Sequence, residues 1–204
     1  MSANERFDQA APTWDLVDRR VLLARGVTEA IVARASLSKD QSVLDFGCGT
    51  GLVTLALGPL VGSITGADTS TGMLETLAEK ARSLGFSVPL RHLGADGSAD
   101  LGGPYDLIVS SMTLHHVADV PALFRRFAQQ LQPDGRVALA DLDAEDGTFH
   151  EDAAGIHHNG FSREQIKDWL AAAGFDTIEV ETATTTAKEG RGYAIFLATA
   201  HKVS

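Results

Sequence analysis

Three groups of residues in this 204-residue chain have the types and spacing to do chemistry. The first is Asp45-Phe46-Gly47-Cys48-Gly49-Thr50-Gly51, which continues the apolar pair Val43-Leu44. Glycines let a chain turn sharply and leave no Cβ between backbone and ligand. A helix starting there would point unpaired N–H groups at that ligand. By itself the pattern fits either a plain strand-to-helix turn or a nucleotide-type site, and two neighbours narrow it. A nicotinamide fingerprint GxGxxG wants a third glycine at position 52, which is Leu52. Asp45 would also set a negative charge against an incoming pyrophosphate, whereas a ligand bearing an ammonium and a sulfonium meets no such penalty.

The second group is Asp68, seventeen residues after Gly51 and at the end of the next apolar run. An acid at that place can accept hydrogen bonds from both hydroxyls of a ribose. The third group is histidine. His115 and His116 follow a further apolar run, while His150, His157 and His158 sit in a polar stretch, 141–160. Histidine titrates near neutral pH and can take a proton from a hydroxyl or amine. Each also fits a structural, hydrogen-bonded role. His115 is the first choice to face a pocket, then His157 or His158. With Asp141 and Asp143 these histidines allow a metal reading, but their spacing matches no compact signature and no metal is expected. Cys48 is the only cysteine, which excludes an intrachain disulfide and a multi-thiolate site.

Elements able to position these residues follow from periodicity. Short apolar runs rich in β-formers, at Ser42–Phe46, Ser63–Ala67, Val88–Leu93, Asp106–Ser110 and Arg136–Ala140, predict strands. Between them, Gly51–Leu57, Thr71–Leu84 and Val120–Leu131 carry helical spacing. The second of these ends at Gly85, and the third opens at Asp119 and stops before the turn sequence Pro133-Asp134-Gly135. Such alternation predicts an α/β domain built on a doubly wound, mostly parallel sheet with helices on both faces. Residues 141–160 are too long for an ordinary connection, which marks a binding loop. A capping box, Ser162-Arg-Glu-Gln165, then opens a helix closed by Gly174. Thr177–Thr182 and Tyr193–Ala200 read as an antiparallel hairpin on the sheet edge, joined by a polar loop. Ahead of all this, apolar residues from Trp14 to Ile31 predict a half-buried helix over about 12–34, with Gly26 and Arg19-Arg20 as places where it could divide in two.

Five segments together resemble one family. Val43-Leu-Asp-Phe-Gly-Cys-Gly-Thr-Gly51 is similar to motif I of the class I S-adenosylmethionine-dependent methyltransferases. Ile64-Thr-Gly-Ala-Asp68-Thr-Ser-Thr-Gly-Met73-Leu, Gly94-Ala-Asp96, Asp106 through His116 and Leu131-Gln-Pro-Asp-Gly135-Arg resemble its later motifs, in the same order and register. The resemblance runs from about residue 40 onward and implies a Rossmann-like fold. It also implies roles. Asp45 would help hold the amino end of the cofactor's methionine moiety, and Gly47, Gly49 and Gly51 would make room for it, with Cys48 between them. Asp68 would take the ribose hydroxyls, with Thr69 beside it, and Met73 would pack on the adenine. Ala95 and Asp96 would lie at the adenine edge. Ser110 would face the methionine end with Met112 beside it. The segment from Phe7 to Asp15 resembles the cover over the cofactor in small-molecule members, which makes Phe7 and Trp14 candidate lid residues.

Composition bounds the rest. The net charge is −10, with 17 Lys+Arg against 27 Asp+Glu, which argues against a nucleic-acid partner because phosphate neutralisation supplies most of such affinity. The doublets Arg19-Arg20 and Arg125-Arg126 read as solvated helix faces. No apolar window reaches membrane length and the first residues lack a secretory core, so a cytoplasmic location is expected. The expectation is one domain over 1–204, with a helical cap at 1–36 and an α/β core at 40–204. It would act as a monomer or homodimer and transfer a methyl group from S-adenosylmethionine to a small-molecule acceptor, leaving S-adenosylhomocysteine. Alternatives are a non-catalytic S-adenosylmethionine-binding sensor or partner subunit and an NAD-dependent oxidoreductase.

Overall fold

The computed structural model describes residues 3–94 and 97–203, so the expected contacts of Ala95 and Asp96 lie outside the described residues. Its centre is a seven-stranded sheet. The strands are β1 Ser42–Phe46, β2 Ser63–Asp68, β3 Leu90–His92, β4 Tyr105–Ser111, β5 Leu131–Leu142, β6 Phe175–Lys188 and β7 Arg191–Lys202. They lie in the order β3-β2-β1-β4-β5-β7-β6. The first five are mutually parallel, and β7 runs antiparallel to both β5 and β6. The helices are α1 Ala3–Ala10, α2 Asp18–Arg34, α3 Leu52–Leu57, α4 Thr71–Ser83, α5 Val120–Gln130 and α6 Arg163–Ala172. Among the described residues no helix is long and apolar enough to cross a membrane.

Strands of a parallel sheet are covered on both faces, so they read as continuous apolar runs. On β4, Leu107 and Val109 pack with Val27 and Ile31 of α2 and with Val53 and Leu57 of α3. Ile108, between them, packs on the other face with Phe124 and Phe127 of α5 and Ile166 and Leu170 of α6. All three β4 residues are fully buried. Helix starts follow local chemistry. The side chains of Ser70, Asp119 and Ser162 accept from Met73 N, Ala122 N and Gln165 N, which satisfies N–H groups that the first turn leaves unpaired.

Departures from the sequence expectation have physical causes. The N-terminal helix divides at Val17, after a 3₁₀ segment Ala11–Leu16, and not at Gly26. Gly26 stays helical because α2 lies so close to β6 that a Cβ there would come within 2.5 Å of Thr184 Oγ1. The expected polar loop 183–192 is mostly strand, and the chain reverses at Glu189-Gly190. Its threonines favour extended backbone, and α2 packs against the extension. The edge belongs to β6, with β7 inserted beside β5. Pro133-Asp134-Gly135 bulges within β5 instead of preceding it, since Tyr105 faces Leu131 while Leu107 faces Arg136.

Candidate active site

The carboxyl ends of β1, β2 and β4, where a doubly wound sheet binds ligands, open onto a cavity of about 890 Å³. Its floor is the glycine turn. Asp45, Phe46, Gly47, Cys48, Gly49 and Thr50 line it, followed by Asp68, Thr69 and Met73 from the β2–α4 connection. Gly47 and Gly49 have φ of +73° and +52°, a region other residues enter at a cost. A Cβ on Gly47 would reach 2.2 Å from Thr113 Oγ1, whereas a Cβ on Gly49 would meet nothing within 4 Å. That side of Gly49 opens onto the cavity. Gly51 differs from the expectation. It is absent from the cavity wall, and a Cβ there would come 2.2 Å from Leu77 Cδ1. It lets Leu77 of α4 pack against the glycine turn.

Two carboxyls sit in this floor. Asp45 is 1% exposed and accepts from Thr54 Oγ1 at 2.6 Å. Burial, opposed by the Thr54 hydrogen bond and reinforced by the charge of Asp68, pushes its pKa up to about 7. Asp68 accepts from Gly49 N (2.8 Å) and Ser70 N (2.9 Å). Burial raises its pKa despite those bonds. Desolvated carboxyls of this kind attract a cation or hydroxyl donors and repel a pyrophosphate. Burial also pushes the Cys48 thiol up, so it stays a neutral thiol.

The opposite wall is assembled from distant segments. A 3₁₀ turn, Leu114–His116, follows β4, and Met112 before it holds φ +56° with its N–H on Ala140 O. Ser111 and Met112 line the cavity. Ser110, the expected contact, is wholly buried and donates its hydroxyl to Phe46 O at 2.8 Å. That bond to β1 keeps its side chain off the cavity wall.

His115 lies on the cavity wall with 1% exposure, and its Nδ1 is 2.7 Å from Asp141 Oδ1 at the end of β5. Burial alone would raise the Asp141 pKa, but the His115 charge and hydrogen bonds from His115 and Leu142 N bring it below the ordinary carboxylate value. Asp141 is therefore an acceptor only, and the proton of this hydrogen bond sits on His115 Nδ1. His116 and His150 stack near His115, with ring centroids 4.2 and 4.7 Å away. Desolvation by burial, then the charge of His115, lower their pKa values to about 3 and about 4. Both are neutral at pH 7, and His150 Nε2 is buried without a hydrogen-bond partner among the described residues.

The long connection after β5 is tied to this turn. His157 N and His158 N donate to His115 O at 2.9 and 3.3 Å, and His116 Nδ1 lies 2.8 Å from Gly155 O. His157 lines the cavity. His158 does not, which corrects its place among the expected proton acceptors. Its Nε2 is 3.0 Å from Val117 O, and its ring packs on Phe161 and Trp169. Adjacent residues on this backbone point opposite ways.

The N-terminal segment closes the mouth. Phe7 stacks edge-on against Trp14 and His116, with centroids 5.8 and 5.2 Å apart, and both aromatic residues line the cavity. Three polar contacts pin this cover to the cofactor-side loops. Thr50 Oγ1 and Lys80 Nζ donate to Asp15, each at 2.6 Å, and Ser70 Oγ donates to Asp8 at 2.6 Å. Arg19 and Arg20, expected on a solvated face, instead line the cavity half-buried. Ser111 carried no expectation, and His150, one of the five candidate histidines, ranked below His115, His157 and His158. Asp141 drew notice only as a metal candidate, although its place at a strand's carboxyl end was a usable signal.

An enzyme-type cleft on a doubly wound sheet is thus defined, and comparison with known proteins names its class. Residues 18–180 match the methyltransferase-domain family, and the chain belongs to it. An uncharacterised methyltransferase of Schizosaccharomyces pombe is 31% identical over 156 residues, which are 69% of this chain and 55% of that protein. Phosphoethanolamine N-methyltransferase 1 of Triticum aestivum is 31% identical over 162 residues, 77% of this chain and 32% of that one. The chain thus spans about half or less of these relatives' own lengths. Among solved structures, an S-adenosylmethionine-dependent methyltransferase from Clostridium acetobutylicum superposes with a TM-score of 0.72 at 16% identity, covering 97% of this chain and 99% of that one. That likeness concerns the fold.

Proposed function

We propose that this chain binds S-adenosylmethionine across the glycine turn and transfers its methyl group to a small-molecule acceptor held against the histidine wall. The observation that carries the reading is the union, in one cavity, of the open side of Gly49, two desolvated carboxyls and the His115–Asp141 pair. Asp45 suits the cationic methionine end, Asp68 the ribose hydroxyls and Met73 the adenine, while Trp14, Cys48 and Thr69 border them. Family membership supports this cofactor. When bound, it supplies an already activated methyl group on a positively charged sulfur.

What remains for the protein is alignment, exclusion of water and removal of a proton. Alignment is worth as much as ~7–11 kcal/mol, against about 3–5 kcal/mol for a general base. The turn Leu114–His116 and the connection after β5 set one wall, and Phe7 with Trp14 covers the mouth. His115 Nε2 accepts the proton released by an acceptor hydroxyl or amine as its new bond to carbon forms. Asp141 keeps Nδ1 protonated and stabilises the imidazolium, the role a buried acid plays behind a catalytic histidine.

Calorimetric titration with S-adenosylhomocysteine and with NAD tests the donor side. Binding of the former with no heat from the latter is expected, and the reverse outcome would sink the reading. An acceptor screen that follows S-adenosylhomocysteine release distinguishes an enzyme from a non-catalytic binder.

A further inference from the structure

Two adjacent guanidinium groups in an acidic protein call for an explanation. Arg19 and Arg20 open α2 on the cavity wall, half-buried, and neither has a carboxylate within 4 Å among the described residues. The chain has ten more acidic than basic side chains, and Glu151 and Asp152 line the same cavity without closing an ion pair to either arginine. Glu151 is the acid whose field reaches Arg20. Each arginine rests on an aromatic ring. Arg19 Cζ is 5.0 Å from the Phe149 centroid, and Arg20 Cζ is 3.7 Å from that of Trp14. Such stacking orients a guanidinium plane. Arg20 Nη1 also donates to Trp14 O at 3.5 Å, which leaves its other N–H groups and those of Arg19 to bind.

Those rings place the charges. Phe149 packs 4.9 Å from His150, and Trp14 reaches His116 through Phe7. Arg19 is thus one ring and Arg20 two rings away from the histidine wall. The charge of Arg19 acts against that of Arg20, and an anion held by both offsets that repulsion. Paired N–H forks match the oxygens of a carboxylate or phosphate.

We infer that Arg19 and Arg20 form the anion-binding end of the acceptor site, so that the acceptor carries a carboxylate or phosphate group. This rests on the proposed methyl transfer for its meaning, but its test stands apart. The protein saturated with S-adenosylhomocysteine is titrated calorimetrically with benzoate, phenyl phosphate and benzamide, the last a neutral isostere of benzoate. The anions should bind at least ~10-fold tighter than benzamide, about 1.4 kcal/mol. Arg19→Gln and Arg20→Gln should abolish that preference, and Arg19→Lys, which keeps the charge but loses the fork, should retain part of it. S-adenosylhomocysteine affinity in the same variants should stay within ~2-fold, which also shows that they fold. No preference for the anions, or a preference that survives both glutamine variants, overturns the inference. So does a tenfold loss of S-adenosylhomocysteine affinity, because the arginines would then hold the cofactor's own carboxylate. Failure of the wild type to bind S-adenosylhomocysteine would instead count against the functional reading.

Discussion

The two sides of the cavity are built on different principles. The donor side uses residues close together in the chain, Asp45 through Thr50 and Asp68 through Met73, at the ends of neighbouring parallel strands. Much of its work is done by backbone, through the positive φ of Gly47 and Gly49 and the N–H groups that hold Asp68. The acceptor side draws His115, Asp141, His150 and the Arg19-Arg20 pair from four separate segments. Its work is done by side chains whose meeting depends on a long connection being tied to a short turn. A backbone-built site is restricted mainly by conformation, whereas a side-chain-built site can change one partner at a time. The donor side should therefore fail through shape and the acceptor side through protonation.

Breaking the acceptor side at its base should have the largest effect. His115→Ala is expected to lower kcat by ~10²–10⁴-fold in an assay of S-adenosylhomocysteine release, with cofactor affinity nearly unchanged. Asp141→Asn should follow it in direction, and equal losses of kcat and cofactor affinity would show a general collapse instead. On the donor side, Gly47→Ala combines a left-handed φ with a contact at 2.2 Å. It should lower unfolding free energy by about 2–4 kcal/mol, read by chemical denaturation, and an unperturbed midpoint would refute the close approach of Thr113.

Asp68→Ala should weaken S-adenosylhomocysteine binding by ~1–3 kcal/mol, by calorimetry. An unchanged affinity would mean that the ribose lies elsewhere. Asp45 gives a smaller, graded effect. Its pKa near 7 in the free protein means that the carboxylate wanted by a cationic ligand is lost as pH falls through 7. S-adenosylmethionine affinity should drop below that pH, approaching ~10-fold per unit, and be flat above it. The sign for folding is opposite. A carboxyl with a raised pKa favours the folded state at low pH, and that contribution fades as pH rises from about 4 to about 7. Asp45→Asn should remove the pH dependence of binding. The smallest effect belongs to His158. Its Gln variant should lose about 1 kcal/mol of stability with the Val117 contact and leave kcat within ~2-fold, and a large loss of kcat would return His158 to the proton-transfer step.

Legibility in the sequence follows the same division. The strand Ser42–Phe46 and the starts of α4, α5 and α6 were readable because strand propensity and capping act over a few residues. Of the two places offered for a break in the N-terminal helix, Arg19-Arg20 lies beside the one observed at Val17, while Gly26 has its reason in Thr184, far along the chain. Ser110 and Ser111 were exchanged because a strand's two faces look alike until the sheet and its covering helices are assembled. The arginine doublet looked solvated for a related cause, since helical spacing does not say what stands opposite the polar side.

From the sequence alone came the βα order, the glycine turn, the acids at Asp45 and Asp68 and hence the class of donor, all encoded by local conformation and fixed spacing. Tertiary structure alone decided that Asp141 stands behind His115, that His157 faces the cavity while His158 turns away, and that Arg19 and Arg20 look inward. Those pairings join segments up to 130 residues apart, as Arg19 and Phe149 are. Only closure of the sheet and packing of its connections bring them within reach, because burial and hydrogen-bond partners are properties of the assembled fold.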